Sequence, residues 1–239
     1  MKLAEDQVGR EYRTSDAEEQ CTVEIAADDA ILLGDLHIPE DPLGTVLFAH
    51  GSGSSRSSPR NQFVAHALQQ GGMATLLLDL LTEEEEARER MGAELRFDIS
   101  LLSQRLHNAV EWLTQQSELQ GKKIGLFGAS TGAAAALATA AENPEIAAVV
   151  SRGGRPDMAT DVLDQVRAPV LLIVGSHDRH VLTLNRQALA RLPGEKKLEV
   201  VPGASHMFEE AGALEQVAQL AGQWFGMHLS PAHTTTWAA

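Results

Sequence analysis

The sequence predicts an α/β protein with a mostly parallel, eight-stranded sheet and helices on both faces. Short, wholly apolar runs alternate with longer stretches in which apolar residues recur at helical spacing. Such runs are typical of parallel strands, which are buried on both faces. A glycine-rich turn, Gly128–Gly132, lies between one apolar run and an alanine-rich helical stretch, and so marks a strand–turn–helix unit.

The predicted elements follow one another in a regular order. The first two strands, 22–25 and 30–39, are separated by a short turn and are expected to pair antiparallel. From residue 45 onward strands alternate with helices, so those strands are expected to run parallel. The remaining strands are predicted at 45–49, 74–80, 124–127, 146–150, 170–174 and 198–201. Helices are predicted at 61–70, 98–116, 133–142, 183–192 and 211–224.

Length and composition indicate one domain. Among the 239 residues we expect an N-terminal arm at 1–21, one α/β domain at 22–228 and a C-terminal tail at 229–239. The net charge of −14 argues against a nucleic-acid partner, and the single cysteine, Cys21, leaves no intramolecular disulfide. No apolar run is long enough to span a membrane, and residues 1–6 lack the apolar core of a signal peptide. We therefore expect a cytoplasmic location and no membrane partner, and leave the oligomeric state open.

Ser130 is the predicted nucleophile. It is the central residue of a G-x-S-x-G motif that follows a strand and precedes a helix, which is the context that gives this motif its meaning. The flanking glycines allow a sharp turn from which the hydroxyl projects beside the N-terminus of the helix.

His206 and Asp178 are predicted to complete a catalytic triad. A serine hydroxyl needs a base, and His206 follows the last strand within the flexible stretch Gly203–His206. Asp178 follows the preceding strand and can hold the imidazole in one tautomer. Loops that follow parallel strands gather at one edge of the sheet, so the three residues can meet there.

The oxyanion hole is predicted from two backbone N–H groups. Thr131, the residue after the nucleophile, supplies the first. Ser52 in the glycine-rich loop after the third strand is predicted to supply the second, with Gly53 as the alternative. His50, at the start of this loop, is interpreted as a structural residue that holds the loop.

Four arginines follow the same edge. Arg56, Arg60, Arg152 and Arg155 can bind a carboxylate on the substrate, or can form salt bridges that hold loops together. Asp157 and Asp161 are near enough in sequence to be such partners. Of the four, Arg56 and Arg152 are taken as candidate substrate contacts.

No metal site is predicted. The acidic run Glu83–Glu86 is interpreted as a solvated loop and helix start, because consecutive carboxylates cannot all face one ion. His177 and His180 lack supporting carboxylates for a metal pair.

These motifs resemble those of α/β-hydrolases over about residues 22–226, and within that superfamily the chain is similar to dienelactone hydrolase-type proteins. The supporting stretches are 50–56, 128–132, 151–156 and 203–206. The resemblance implies hydrolysis of ester-like carbonyl compounds without a cofactor. Enzymes that act on dienelactone itself use a cysteine nucleophile where this chain has Ser130, so a serine esterase is expected instead. Many relatives insert a helical cap after the sixth strand, whereas 155–168 has room for one small helix here, so we expect no large cap domain.

The expected function is therefore a serine hydrolase that cleaves small carboxylic esters through an acyl-enzyme. A thioester, a lactone or a peptide remains open as the bond cleaved by the same triad. A non-catalytic binding protein on a hydrolase fold is the alternative from a different class.

Overall fold

A computed structural model describes residues 20–231 except 29 and 93. Within them eight strands form one sheet in the order β1-β2-β4-β3-β5-β6-β7-β8. The strands are β1 (Gln20–Ala27), β2 (Ala30–His37), β3 (Thr45–Ala49), β4 (Ala74–Leu78), β5 (Ile124–Ala129), β6 (Ile146–Arg152), β7 (Val170–Gly175) and β8 (Lys196–Val201).

Six α-helices accompany the sheet in the described part of the chain. They are α1 (Pro59–Gln70), α2 (Glu83–Arg90), α3 (Ile99–Thr114), α4 (Thr131–Glu142), α5 (Arg179–Arg191) and α6 (Ala213–Leu229). Three 3₁₀ segments lie at Leu95–Phe97, Ser117–Leu119 and Pro156–Gln165.

Strand directions follow from the connections. β1, β2 and β4 pair antiparallel, and every pair from β4 and β3 to β7 and β8 is parallel. The predicted sheet is thus confirmed. Because β3 and β5 to β8 run in the same direction, the loops after them gather at one edge.

The sheet is buried on both faces. Helices α1 and α6 cover one face, where Phe225 of α6 belongs to the same apolar cluster as Phe48 and Phe127 of the sheet. Helices α3, α4 and α5 cover the other face over Leu47, Leu126 and Leu172. All residues of β3, β4, β5 and β7 are buried, as the uninterrupted apolar runs predicted.

Several element boundaries differ from the sequence-based expectation. β1 begins at Gln20 and α6 continues to Leu229, so both extend past the predicted domain limits. The rest of the predicted arm and tail, 1–19 and 232–239, lies outside the described residues. The connection between β6 and β7 contains only the short 3₁₀ segment, in keeping with the expected lack of a large cap.

Helix α2 is an addition to the predicted elements. The acidic run 83–86 forms its first turn, and Thr82 caps it. The Thr82 hydroxyl accepts the N–H of Glu85, and the Glu85 carboxylate accepts the N–H of Thr82, which makes a capping box. Acidic residues in the first turn also stabilise the helix dipole. The interpretation of the run as a helix start is confirmed, but the run is not wholly solvated, because Glu85 pairs with the buried Arg105.

Candidate active site

Ser130 occupies a strained turn between β5 and α4. Its backbone has φ 51° and ψ −118°, a conformation that non-glycine residues rarely adopt. The turn requires glycine on both sides: a Cβ on Gly128 would be 2.4 Å from Ala133 Cα, and one on Gly132 would be 2.3 Å from the Ala49 carbonyl oxygen. Both contacts are with backbone atoms, so neither can be relieved by a side-chain movement.

Backbone hydrogen bonds fix this turn to the end of β6. The Ser130 N–H donates to the Arg152 carbonyl at 3.2 Å. The Ser130 carbonyl accepts from the N–H groups of Ala133 and Arg155, each at 3.1 Å. The nucleophile candidate is therefore held from two neighbouring strands, and its half-buried side chain lies at the C-terminal edge of the sheet.

His206 and Asp178 form a direct pair at the same edge. The imidazole Nδ1 lies 2.6 Å from Asp178 Oδ2. The side chain of Asp178 is 13% exposed and that of His206 is 39% exposed, so the carboxylate is sheltered while the ring reaches the surface. Asp178 is also the N-cap of α5 and accepts the N–H of Val181 through Oδ1. With both oxygens engaged, the carboxylate fixes the ring orientation.

The loop that carries His206 is fastened at both ends. The N–H of His177 donates to the Ala204 carbonyl at 3.0 Å, which joins this loop to the loop of Asp178. Glu210 accepts the N–H of Ser205 at 3.0 Å, and this bond holds the pKa of Glu210 below its usual value. Gly153 lies against the ring, since a Cβ there would be 3.4 Å from His206 Nδ1.

Two consecutive residues at the end of β6 therefore lie beside the candidate nucleophile and base. Arg152 accepts the Ser130 N–H through its carbonyl, and the backbone of Gly153 lies beside the His206 ring. The structure brings all three predicted triad residues to the edge where the parallel strands end.

The glycine-rich loop after β3 lies beside the nucleophile. A Cβ on Gly51 would be 3.0 Å from Ser130 Cβ. The N–H of Ser52 donates to Thr131 Oγ1 at 2.8 Å, so in this conformation it is bound to a hydroxyl. Gly53, with φ 72°, has open space around its Cα, and both Ser52 and Gly53 are exposed.

His50 holds this loop to the loop after β4. Its Nε2 accepts the N–H of Leu80 at 3.0 Å, and its Nδ1 lies 3.0 Å from the Gly51 carbonyl. Together these contacts require the neutral tautomer with the proton on Nδ1. Burial lowers the pKa of His50, which favours the same neutral form. The contacts are those of the structural residue that the sequence predicted.

Three of the four arginines near the edge form ion pairs. Arg56 pairs with Asp35 and Asp79, which come from β2 and from the loop after β4. Arg155 forms a two-bond pair with Asp157, as the sequence suggested, and this pair holds the pKa of Asp157 below its usual value. The guanidinium of Arg56 therefore has two carboxylate partners, as expected of an arginine whose salt bridges hold loops together.

Arg60 and Arg152 are not held by a close ion pair among the described residues. Arg60 has one long contact, 3.6 Å, with the exposed Glu209. Arg152 is buried and has no ion pair among the described residues; its Nη2 donates to Asn61 Oδ1 at 3.3 Å.

A cavity of about 320 Å³ adjoins the glycine-rich loop and Thr131. Leu81 and Leu102 form apolar parts of its wall, and α2 contributes Glu86 and Glu89. This wall was not predicted from the sequence, because the acidic run was interpreted as a solvated loop and helix start. The capping box at Thr82 was the local signal for a helix there.

No group of three or more metal-ligating side chains was found in 20–231 outside the two undescribed positions. Over the same residues, no helix has both the length and the apolar character needed to cross a bilayer.

The sheet order, the strained serine turn and the adjacent His–Asp pair define an α/β-hydrolase. The chain belongs to the dienelactone hydrolase family, whose model matches residues 44–226.

Individual relatives agree with this placement. A crystal structure of a dienelactone hydrolase from Anabaena variabilis is 54% identical, covers 89% of this chain and 99% of that chain, and superposes with a TM-score of 0.87. The Pyrococcus furiosus esterase Pf2001 shares the fold at 18% identity, covering 89% of this chain and 94% of that chain, with a TM-score of 0.72.

A curated relative from Mycobacterium tuberculosis, provisionally named a phosphoribosyl transferase, is 54% identical over 208 residues. That match takes in 87% of this chain and 46% of the relative, so the chain spans less than half the length of that protein.

Proposed function

We propose that this protein is a serine esterase that cleaves small carboxylic esters through an acyl-enzyme. The observation that carries the proposal is the 2.6 Å pair between His206 Nδ1 and Asp178 Oδ2, set beside the strained turn of Ser130. Because Asp178 occupies Nδ1, the imidazole has Nε2 as the nitrogen that can take the proton of Ser130.

In the proposed reaction Ser130 Oγ attacks the ester carbonyl while His206 removes its proton. Asp178 holds the ring and stabilises the imidazolium that forms. His206 then protonates the leaving alcohol, and afterwards activates the water that releases the acyl group from Ser130. No cofactor takes part in this proposal.

The developing oxyanion needs two donors. The N–H of Thr131, at the start of α4, is the first in this proposal, where it also benefits from the helix dipole. For the second, Ser52 must exchange its bond to Thr131 Oγ1 for the substrate oxygen, while the neighbouring Gly53 is the alternative donor. The freedom of the glycines in this loop supports either movement.

The size of the adjoining cavity supports a small acyl group. Its volume of about 320 Å³ is roughly twice that of a cavity that accepts benzene. Its wall combines leucines with charged side chains from α2, so a long apolar chain would desolvate those charges.

Intact-mass spectrometry after brief mixing with p-nitrophenyl acetate tests the proposal. A gain of one acetyl group, mapped to the peptide that contains Ser130, is expected. Acetylation of another residue, with none on Ser130, would contradict the proposal. An unmodified protein that binds a nonhydrolysable ester analogue tightly, with no turnover of any ester, would favour the binding-protein alternative.

A substrate series with one constant acetyl group separates the related activities. We expect the aryl ester to give the highest kcat/KM, above an acetyl thioester and an acetyl anilide, with a small lactone tested beside them. A thioester, lactone or anilide that exceeded the ester would reassign the bond while keeping the triad.

The name of the mycobacterial relative does not alter this proposal, because the match covers less than half of that protein. A cytoplasmic location stays a prediction from the sequence.

A further inference from the structure

Arg152 is a buried cation that has no counterion among the residues that the structure describes. The residue is 8% exposed. Within the same part of the chain its Nε has no hydrogen-bond partner, and its Nη2 has only the neutral Asn61 at 3.3 Å. No carboxylate in the described part of the chain forms an ion pair with it. A buried charge of this kind is costly unless something pairs with it.

A second buried arginine in the same protein shows what a structural pair looks like. Arg105 is 3% exposed, and its two Nη atoms each donate to an oxygen of Glu85 at 2.6 Å. Arg155 is paired in the same two-bond manner with Asp157. Of the two buried arginines in the described part of the chain, Arg105 therefore has a carboxylate partner and Arg152 does not.

The surroundings of Arg152 add positive potential. Burial, and then the charge of nearby Arg60, lower the pKa of Arg152 to about 10. Asn61, which accepts the Arg152 bond, lies in the first turn of α1. That turn is the positive end of the helix dipole. N–H groups in the first turn of a helix, such as that of Arg60, have no carbonyl partner within the helix.

The cluster is next to the catalytic edge. The carbonyl of Arg152 holds the N–H of Ser130, and its guanidinium lies 5.9 Å from the ring centroid of Phe208, two residues after His206. A group bound to this guanidinium would therefore lie near the loops that carry Ser130 and His206.

We infer that Arg152, Arg60 and the first turn of α1 form a subsite for a phosphate group carried by the substrate, so that the natural substrate is a phosphorylated ester. This inference rests on the proposed esterase function. Arg152 comes from the end of β6, while Arg60 and the helix N-terminus both belong to α1. Two guanidinium groups beside a helix N-terminus suit a dianion with several acceptor oxygens. A carboxylate needs only one guanidinium for a planar two-bond pair.

Glu209 is the residue that the phosphate displaces. Its side chain is 69% exposed, and its only ion pair among the described residues is the 3.6 Å contact with Arg60. An exposed pair of this length contributes little to stability, so Glu209 can swing into solvent when a phosphate arrives.

Calorimetric titration with inorganic phosphate tests the subsite without any catalytic turnover. Wild type is expected to bind phosphate, Arg152→Met to bind it about 10- to 100-fold more weakly, and Arg60→Gln about fivefold more weakly. Arg186→Gln, which changes an exposed arginine on α5, serves as the control and is expected to bind as wild type does. No binding by wild type, or equal binding by the Arg152 and Arg60 variants, would overturn the inference.

Kinetics on matched acetate esters test the substrate class. Acetyl glycerol 3-phosphate is compared with glycerol monoacetate, and 3-acetoxypropionate with propyl acetate, by acetate release. In wild type we expect kcat/KM to be about 10- to 100-fold higher for the phosphorylated ester than for its neutral counterpart. Arg152→Met and Arg60→Gln are each expected to reduce this preference for the phosphorylated ester. An equal gain from the carboxylate would make this a carboxylate subsite and contradict the phosphate assignment.

The two proposals fail in different ways. If neutral esters are cleaved through Ser130 but the phosphate gives no advantage, the esterase function stands and the subsite is wrong. If phosphate binds through Arg152 while no ester acylates Ser130, the subsite stands and the esterase function is wrong.

Discussion

The imidazole of His206 and the carboxylate of Asp178 meet at 2.6 Å, between Nδ1 and Oδ2. Asp178 is held in turn by the N–H of Val181 in the first turn of α5. The pair therefore joins two loops that follow neighbouring strands, β7 and β8. In the proposed mechanism it determines which ring nitrogen faces Ser130.

Changing Asp178 to Asn tests this orienting role. Asn can still accept the N–H of Val181 and cap α5, so the fold is expected to persist. Its amide can donate to Nδ1, which favours the wrong imidazole tautomer, and we expect kcat for p-nitrophenyl acetate to fall about 10⁴-fold. Thermal unfolding of the variant checks that the fold is intact. A folded variant with more than a tenth of wild-type turnover would contradict the role.

The serine turn is expected to tolerate no side chain at residue 128. Gly128→Ala places a Cβ 2.4 Å from Ala133 Cα, which forces the turn apart. We expect a loss of about 3 kcal/mol in the free energy of unfolding, together with loss of esterase activity. Urea denaturation and p-nitrophenol release measure the two effects.

Gly121→Ala is the matched control for that experiment. Gly121 has φ 74° and open space around its Cα, so the change adds backbone strain without a clash. A loss of about 1 kcal/mol with unchanged turnover is expected. Equal effects of the two substitutions on stability and turnover would mean that the turn does not depend on close packing.

The Thr131 hydroxyl is expected to position the glycine-rich loop through its bond to the Ser52 N–H. Thr131→Val removes the acceptor at constant shape and is expected to lower kcat/KM about fivefold, the effect of one net hydrogen bond. Thr131→Ser keeps the hydroxyl and is expected to act nearly as wild type does. Higher activity in the valine variant would contradict this positioning role, because competition between the hydroxyl and the substrate for the Ser52 N–H would then be the larger effect.

His50 is expected to make stability depend on pH. Burial lowers its pKa in the folded state, so below the ordinary value of about 6.5 the unfolded chain gains a proton that the native chain does not. The contribution of His50 is therefore fully present above that pH and is lost as pH falls.

His50→Gln provides the comparison, because Gln can accept the Leu80 N–H through its side-chain oxygen and does not titrate. The urea midpoint of unfolding is measured at pH 7.5 and at pH 5.5. Between these two values it is expected to fall more in wild type than in the variant. Parallel midpoints, or a larger fall in the variant, would show that neutral His50 does not stabilise the loop.

Features with a local cause could be predicted from the sequence. The uninterrupted apolar strands determined the sheet, and the glycines around Ser130 determined the turn. Asp178 and His206 came together because both follow parallel strands. The start of α5 was placed four residues late, since Asp178 was interpreted as a catalytic residue and not also as the helix cap.

Features that depend on distant neighbours could not be predicted. Arg56 pairs with carboxylates from β2 and from the loop after β4, and nothing near it in sequence indicates either partner. The direction of the Ser52 N–H depends on a side chain from another loop. The isolation of Arg152 is visible only once every neighbouring element is in place.

The release of p-nitrophenol from p-nitrophenyl acetate by wild type and by Ser130→Ala tests the central claim most directly. The substitution removes one half-buried hydroxyl, so the fold is expected to remain. We predict that kcat falls about 10⁴-fold or more. Equal turnover by the two proteins would place the nucleophile elsewhere and contradict the proposed site.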